Sequence, residues 1–220
     1  MALTCNLIRN TVALGNCIDL MKQMPSRSAD FILTDPPYIT RYLDRSGRSV
    51  MNDDNADWLG PSFEQAYRVL KCNSFCVSFY GWSKADLFLT AWRNAGFRIV
   101  GHLVFRKSYA SSAKFLRYEH EQAYLLAKGQ PELPEFPLGD VIDWPRSTGN
   151  RFHPTQKPVE VLKPLIRAFS SRGDLVLDPF CGSGSTLIAA RDTGRNYVGF
   201  ELDEKHHDSA VTRLAAEIRG

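Results

Sequence analysis

Residues 174–201 read DLVLDPFCGSGSTLIAARDTGRNYVGFE, which is typical of a strand, a glycine loop, a helix and a second strand in succession. The first strand ends at Asp178, the helix begins near Ser185, and the second strand ends at Glu201, 23 residues after Asp178. Glycines let a nucleotide-like ligand approach the backbone closely, and an acid at the tip of the second strand can bind ribose hydroxyls. This stretch therefore predicts a nucleoside site in an α/β sheet.

The spacing of the glycines argues against a dinucleotide. The pattern GxGxxG, begun at Gly182 and Gly184, needs a third glycine at position 187, where this chain has Leu187. A nucleoside ligand without phosphates fits better, and a nicotinamide-dependent oxidoreductase is disfavoured. The structural alternative is a tight turn that merely needs glycine.

Strand-like and helix-like segments alternate along the rest of the chain, which favours a sheet with helices on both faces. The length of 220 residues suits one domain, 1–220, and two polar stretches at 39–60 and 129–152 are predicted insertions in it. The predicted strands are 30–34, 75–79, 99–105, 122–127, 174–177 and 197–200.

The composition is that of a globular protein, with 44% hydrophobic and 23% charged residues. A net charge of +3 does not establish nucleic-acid binding, although it permits a local basic face. Because no apolar run approaches the roughly 20 residues of a membrane span and the N-terminus lacks a signal peptide, we expect a cytoplasmic protein with no membrane partner. The five cysteines lack zinc-ligand spacing, so we expect buried thiols and no metal.

A second motif, Thr34-Asp35-Pro36-Pro37-Tyr38, directly follows the predicted strand 30–34. Prolines lack an N–H group and stiffen the chain at the strand's carboxyl end, where α/β sheets bind ligands. An exocyclic amine needs hydrogen-bond acceptors, and an extruded base needs a stacking surface. The Asp35 carboxylate and the Pro36 carbonyl can supply the acceptors, and Tyr38 the ring. The alternative is an ordinary turn after a strand.

TDPPY at 34–38, followed by DPFCGSGST at 178–186, resembles the β group of DNA amino-methyltransferases, in which the catalytic segment precedes the glycine loop. The resemblance covers nearly the whole chain: LGNCID at 14–19 is similar to the motif for the cofactor's adenine ring, and HPTQKP at 153–158 to the motif before the glycine loop. In that group Asp usually stands where Asn16 stands here. The resemblance implies a Rossmann-like, S-adenosylmethionine-dependent methyltransferase fold with a seven-stranded, mostly parallel sheet and one antiparallel strand.

The activity implied by the resemblance is methyl transfer from S-adenosyl-L-methionine to an amino group of a base swung out of double-stranded DNA. The implied catalytic segment is Asp35, Pro36, Pro37 and Tyr38. Members of the group that act on cytosine N4 commonly carry Ser at the position of Asp35, so the resemblance implies adenine N6 over cytosine N4. The implied cofactor-binding residues are Asn16, Cys17, Asp35, His153, Thr155, Lys157, Asp178, Phe180, Gly182, Gly184, Ser185, Thr186 and Glu201.

Basic residues in three stretches are candidates for contacts with DNA phosphates, although solvated surface is the alternative for any one of them. In the group that this chain resembles, sequence recognition usually lies before HPTQKP, here in the 24 residues 129–152, which predicts short or relaxed specificity. His120 and Glu121, at a strand start, are interpreted as structural. The candidate DNA contacts are Arg41, Arg45, Arg48, Lys107, Lys114, Arg117, Arg146 and Arg151.

Two other functions stay open. RNA or protein amino-methyltransferases often carry Asn at the position of Asp35 and place the glycine loop first, so the motif order here argues against them. A module that binds a nucleoside without catalysis is disfavoured by the intact Asp35 and Tyr38. Homodimers are common in the β group, but no interface is diagnosed by this sequence.

Overall fold

A computed structural model describes residues 9–40, 51, 53–111, 115–144 and 157–216. Within these residues the chain forms one eight-stranded sheet and six α-helices. The strands are β1 (Thr11–Leu14), β2 (Ala29–Thr34), β3 (Leu70–Phe79), β4 (Arg98–Ser111), β5 (Tyr118–Lys128), β6 (Val141–Trp144), β7 (Leu175–Asp178) and β8 (Asn196–Glu201). The helices are α1 (Cys17–Gln23), α2 (Leu59–Val69), α3 (Ala85–Ala95), α4 (Val159–Phe169), α5 (Ser185–Asp192) and α6 (Glu204–Ala216).

The strand order in the sheet is β1-β8-β7-β2-β3-β5-β4-β6. Neighbouring strands are parallel except where β5 pairs with β3 and with β4, so β5 alone among the described strands runs against the others. The predicted mostly parallel α/β sheet with one antiparallel strand is thereby confirmed. The predicted count of seven strands is wrong by one, because the short edge strand β6 adds an eighth.

Helices cover both faces of the sheet, as predicted. On one face Met21 of α1, Phe63 of α2 and Trp92 of α3 belong to the same buried cluster as Ile32 of β2. On the other face α4 and α5 pack against Phe31 and its neighbours in a second cluster. Successive residues of β2 thus point into different cores, as expected for a central strand of a sheet with helices on both sides.

The topology brings the predicted site segments to one edge. Parallel strands end at the same edge of a sheet, and β7 and β2 are adjacent there. The chain leaves β7 towards β8 on one side and β2 towards β3 on the other, which opens a crevice at their carboxyl ends. Because β5 is antiparallel, its amino end lies at this edge too.

Three expectations need correction. Strand β1 was not predicted, and β6 lies inside the stretch 129–152 that was expected to be irregular. Cys72 is exposed, whereas Cys17, Cys76 and Cys181 are buried as predicted.

Among the described residues, no helix has the length and apolarity to cross a membrane, and no cluster of three potential metal ligands occurs.

Candidate active site

The segment Asp35–Tyr38 begins where β2 ends, beside β7. The Asp35 side chain is 24% exposed and the Tyr38 hydroxyl lies 2.9 Å from its Oδ1. The carboxylate and the aromatic ring that the sequence predicted to act together are therefore held by a hydrogen bond.

Two lysines and a second carboxylate complete a polar network around this segment. The Lys157 ammonium, just before α4, donates to Asp35 Oδ2 at 2.6 Å and to the Tyr38 hydroxyl at 3.1 Å. Glu121 of β5 places Oε2 3.4 Å from the Tyr38 hydroxyl and accepts a hydrogen bond at Oε1 from Lys107 of β4, at 2.5 Å. Side chains from four parts of the chain thus converge at the carboxyl edge.

Burial shifts the ionisation of the network. It raises the pKa of the Asp35 carboxyl, and the Lys157 ammonium opposes that rise without cancelling it. Burial also raises the pKa of Glu121, but the ammonium groups of Lys157 and Lys107 outweigh it and lower that pKa overall. Burial and the two carboxylates raise the pKa of the Tyr38 hydroxyl, which therefore stays protonated and available as a donor.

The glycine loop follows β7 and ends where α5 begins at Ser185, as predicted. Gly182 and Gly184 have φ of 51° and 83°, the left-handed region that favours glycine. A Cβ on Gly182 would meet no atom within 4 Å, so one side of the loop is open to a ligand. Leu187 stands where a dinucleotide motif has its third glycine, and the close approach of helix to strand is instead provided by Gly199 of β8, where a Cβ would lie 2.5 Å from Leu187 Cδ1.

The acid at the end of β8 is anchored to this loop. Glu201 Oε2 accepts a hydrogen bond from the Gly182 N–H at 2.8 Å, and Oε1 accepts from the Leu202 and Asp203 N–H groups at 2.9 and 2.8 Å. Since a carboxylate oxygen can accept two hydrogen bonds, Oε2 retains capacity for a ligand hydroxyl. The strand–loop–helix–strand unit predicted from residues 174–201 therefore forms with its acid beside the glycines.

Asp178, at the end of β7, is 2% exposed and accepts a hydrogen bond from the Phe180 N–H at 3.1 Å. Burial raises its pKa to about 7, although hydrogen bonds from the Thr186 hydroxyl and the Phe180 N–H act in the opposite direction. The Phe180 ring packs edge-on to Trp58, with centroids 5.1 Å apart. The loop thus has an apolar side and a buried acid that a cationic ligand would ionise.

Asn16 and Cys17 lie beyond the carboxyl end of β1. Asn16 Oδ1 accepts a hydrogen bond from the Ile18 N–H at 2.9 Å and caps α1. Burial raises the pKa of the Cys17 thiol to about 12, so that thiol is unreactive. The predicted contacts of both residues with a cofactor stay predictions.

Of the candidate DNA contacts, two lie in the part of the chain that the structure describes. Arg117 is 79% exposed and pairs with Glu119 at 3.3 Å, whereas Lys107 is 10% exposed and pairs with Glu121 inside the network. The other predicted site residues Arg41, Arg45, Arg48, Lys114, Arg146, Arg151, His153 and Thr155 lie outside the described residues.

Sequence reasoning missed Glu121 as a site residue. It was interpreted as structural because it lies near the start of a strand, but the antiparallel direction of β5 brings that end of the strand to the carboxyl edge of the sheet. Gly81 was also overlooked: a Cβ there would lie 2.7 Å from the Tyr38 carbonyl oxygen and 2.8 Å from Tyr38 Cβ. The role of Glu121 is not marked by a motif.

Comparisons with known proteins place this site in context. Residues 29–212 match the model of the N6/N4 methyltransferase family, described as DNA methylases. Over 205 residues the chain is 52% identical to YubD of Escherichia coli (strain K12), which is provisionally named a methylase; the match covers 93% of this chain and 90% of YubD.

Solved structures share the fold. TTHA0409 of Thermus thermophilus, provisionally assigned as a DNA modification methylase, has a TM-score of 0.76 at 24% identity, covering 96% of this chain and 97% of its own. That protein has also been solved complexed with S-adenosyl-L-methionine. The cytosine-N4-specific PvuII DNA methyltransferase has a TM-score of 0.76 at 16% identity, covering 94% and 86% of the two chains.

Proposed function

Because the chain belongs to the N6/N4 DNA methylase family, we propose that it transfers a methyl group from S-adenosylmethionine to the exocyclic amino group of adenine in double-stranded DNA. One observation carries this proposal: Asp35 and Tyr38 stand at the end of β2, and the open glycine loop stands at the end of the adjacent strand β7. An acceptor for an amine and a site for a nucleoside are thereby brought together at one crevice.

S-adenosylmethionine is the cofactor, and the described residues fit it. It supplies, when bound, an electrophilic methyl group on a positively charged sulfur. The open side of Gly182 gives room for a nucleoside, and Glu201 is turned towards the loop with capacity to accept a ribose hydroxyl. Phe180 offers an apolar surface, and Asp178 a carboxylate for the cationic methionine end.

At the base, Asp35 and the Pro36 carbonyl accept the two N–H groups of the target amine. Conjugation with the ring otherwise withdraws the nitrogen lone pair, and these hydrogen bonds localise it on the nitrogen. As the nitrogen–methyl bond forms, the methyl–sulfur bond would break, the sulfur would leave as a neutral thioether, and the nitrogen would release one proton to Asp35 or to solvent. The Tyr38 ring, oriented by its hydroxyl, provides a face on which the extruded base stacks. The contribution of these residues is positioning and electrostatic stabilisation.

Adenine is proposed over cytosine because position 35 is Asp. In the β group of DNA amino-methyltransferases, which this chain resembles, cytosine-N4 enzymes commonly carry Ser at that position. Cytosine N4 is the second candidate, since the fold is shared with the cytosine-N4-specific PvuII enzyme. Both bases present an exocyclic amine, so the same acceptors serve either reaction.

The test is to incubate the purified protein with unmodified plasmid DNA and S-adenosylmethionine and to identify every modified base. We expect N6-methyladenine. N4-methylcytosine would retain the reaction and overturn the target base, whereas cofactor binding without any DNA methylation would move the substrate to RNA or another amine.

The positions of the methylated bases in the plasmid also measure the sequence specificity of the protein. Since the stretch 129–152 is short, we expect methylated adenines to share a short or relaxed sequence context. A requirement for a long recognition sequence would contradict this expectation. Arg117 and the basic residues outside the described ranges are the proposed phosphate contacts.

We expect Gly81→Ala to lower kcat by about 10- to 100-fold, because an added Cβ would displace the Tyr38 backbone and a shift of about 1 Å in a positioned group has effects of this size. The affinity for S-adenosylmethionine should stay unchanged, since the glycine loop is untouched. Gly60→Ala in α2 is the matched control, because a Cβ there meets nothing within 4 Å. Equal kcat values for the two variants, measured with plasmid DNA, would contradict the prediction.

A further inference from the structure

One carboxylate oxygen of Glu121 faces the catalytic segment, and the other accepts a hydrogen bond from a lysine on the neighbouring strand β4. Its Oε1 accepts from Lys107 at 2.5 Å, and its Oε2 lies 3.4 Å from the Tyr38 hydroxyl and 4.0 Å from Lys157 Nζ. The side chain is 24% exposed, so these interactions are only partly screened by water. One carboxylate oxygen is therefore fixed by β4 and the other is presented to the site.

Lys157 occupies the place where the proposed reaction needs an acceptor. Its ammonium lies 2.6 Å from Asp35 Oδ2 and is 7% exposed. An ammonium on that oxygen withdraws electron density from the carboxylate and competes with the target amine for its lone pairs. For the target amine to form strong hydrogen bonds with Asp35, the Lys157 ammonium has to interact with a second anion as well, or move from Asp35 to that anion.

Among the described residues, Glu121 carries a second carboxylate within 4.0 Å of the Lys157 ammonium. Lys157 stands between the two carboxylates, so a small side-chain movement exchanges a contact with Asp35 for one with Glu121. The Tyr38 hydroxyl likewise lies within reach of both carboxylates. A buried ammonium that lost Asp35 without gaining a second carboxylate would be strongly destabilised.

We propose that Glu121 is a positioning residue for methyl transfer: it takes up the Lys157 ammonium and the Tyr38 hydroxyl when the target amine binds Asp35. The inference rests on the function proposed above and adds a role that neither sequence motif carries. Lys107 serves this role indirectly, because its contact with Oε1 fixes the orientation of the Glu121 carboxylate.

The test compares Glu121→Gln with Glu119→Gln. Glutamine preserves the size of the side chain but removes the charge that receives Lys157. We expect kcat at saturating DNA to fall about tenfold or more in Glu121→Gln, with the KM and the calorimetric Kd for S-adenosylmethionine changed less than about twofold. Glu119 lies on the same strand with a side chain 57% exposed. Because it pairs with Arg117, a proposed phosphate contact, its variant should change only the KM for DNA and keep the wild-type kcat at saturating DNA.

A double variant, Lys107→Gln with Glu121→Gln, separates positioning from charge balance. It removes one positive and one negative charge, so the net charge of the site returns to that of the wild type. If Glu121 acts through Lys157 and Tyr38, kcat stays as low as in the single variant. Recovery of wild-type kcat would overturn the proposal and leave Glu121 as a counter-ion for Lys107.

Thermal unfolding and cofactor binding show whether each variant is folded. A kcat of Glu121→Gln equal to that of the wild type overturns this inference and leaves the proposed function standing. A parallel loss of kcat, cofactor affinity and melting temperature also overturns it, because that pattern indicates a structural role. A wild-type protein that methylates no DNA overturns the proposed function, and this inference with it.

Discussion

Replacing Asp35 with alanine is expected to lower the rate of methyl transfer by about a thousandfold, the upper range for loss of one preorganised polar group at a reacting centre. The variant removes an acceptor for the target amine, and at the same time it releases two groups that the carboxylate holds. Lys157 loses its 2.6 Å contact and Tyr38 loses its 2.9 Å contact. Transition-state stabilisation and the orientation of the stacking ring are therefore lost together.

Asp35→Asn distinguishes these contributions. The amide retains the shape of the side chain and one acceptor oxygen, so Tyr38 keeps a partner, but the negative charge that attracts the amine and Lys157 is gone. We expect a loss of about a hundredfold for this variant, intermediate between wild type and alanine. Single-turnover methylation of plasmid DNA measures both.

Binding of S-adenosylmethionine serves as the control for both variants. The resemblance implies that Asp35 is one of several cofactor-binding residues, but the glycine loop and Glu201 are built by β7 and β8 and do not depend on the Asp35 side chain. Calorimetry should give a Kd within a few fold of the wild-type value. An alanine variant that binds the cofactor and still methylates at more than about a tenth of the wild-type rate would contradict the proposed role of Asp35.

The fold was predictable where strands are buried on both faces. Strands such as β2 and β7 are short apolar runs bounded by polar residues, because helices cover them above and below. Strand β1 has four residues, none of them fully buried, and β6 is an edge strand with Val141 55% exposed. Such segments lack both a long apolar run and a clear alternation, so hydrophobic periodicity does not detect them.

The site was predictable where function follows directly from strand ends. Asp35, Asp178 and Glu201 each stand at the carboxyl end of a parallel strand, and parallel strands bring those ends together. Glu121 lies near the beginning of β5, and its place in the site depends on the direction of that strand. That direction is set by pairing with β3 and β4, which local sequence does not encode.

The contacts of Lys157 could be predicted from the sequence only in part. Its motif predicted a place near the cofactor, which stays a prediction, and the structure adds that its ammonium lies on Asp35, 122 residues away in sequence. A contact of this kind depends on how α4 approaches the end of β2 across the sheet. The motif identified the residue, and the tertiary structure supplies the partner.

The affinity for S-adenosylmethionine is expected to fall about tenfold per pH unit as the pH is lowered below 7. The Asp178 carboxyl is then protonated, and it must release this proton when the cofactor binds. Burial raises the pKa of Asp178 to about 7 in the protein without cofactor. In the proposed complex this carboxylate faces the cationic methionine end, which favours its ionised form and lowers its pKa. Above pH 7 the group is already ionised and the affinity should level off; below pH 7 binding has to displace the proton.

Calorimetric titrations between about pH 5.5 and 8.5, repeated in buffers of different ionisation enthalpy, measure both the affinity and the proton released. Asp178→Asn should bind more weakly at about pH 8 and show no such dependence, because the amide does not titrate. Histidine is the side chain that most often titrates near neutral pH, so His153, which lies outside the described residues, is the competing source of a pH effect. The slope should therefore survive in His153→Gln and vanish in Asp178→Asn; the reverse pattern would assign the titration to the histidine and remove Asp178 from the cofactor's charged end.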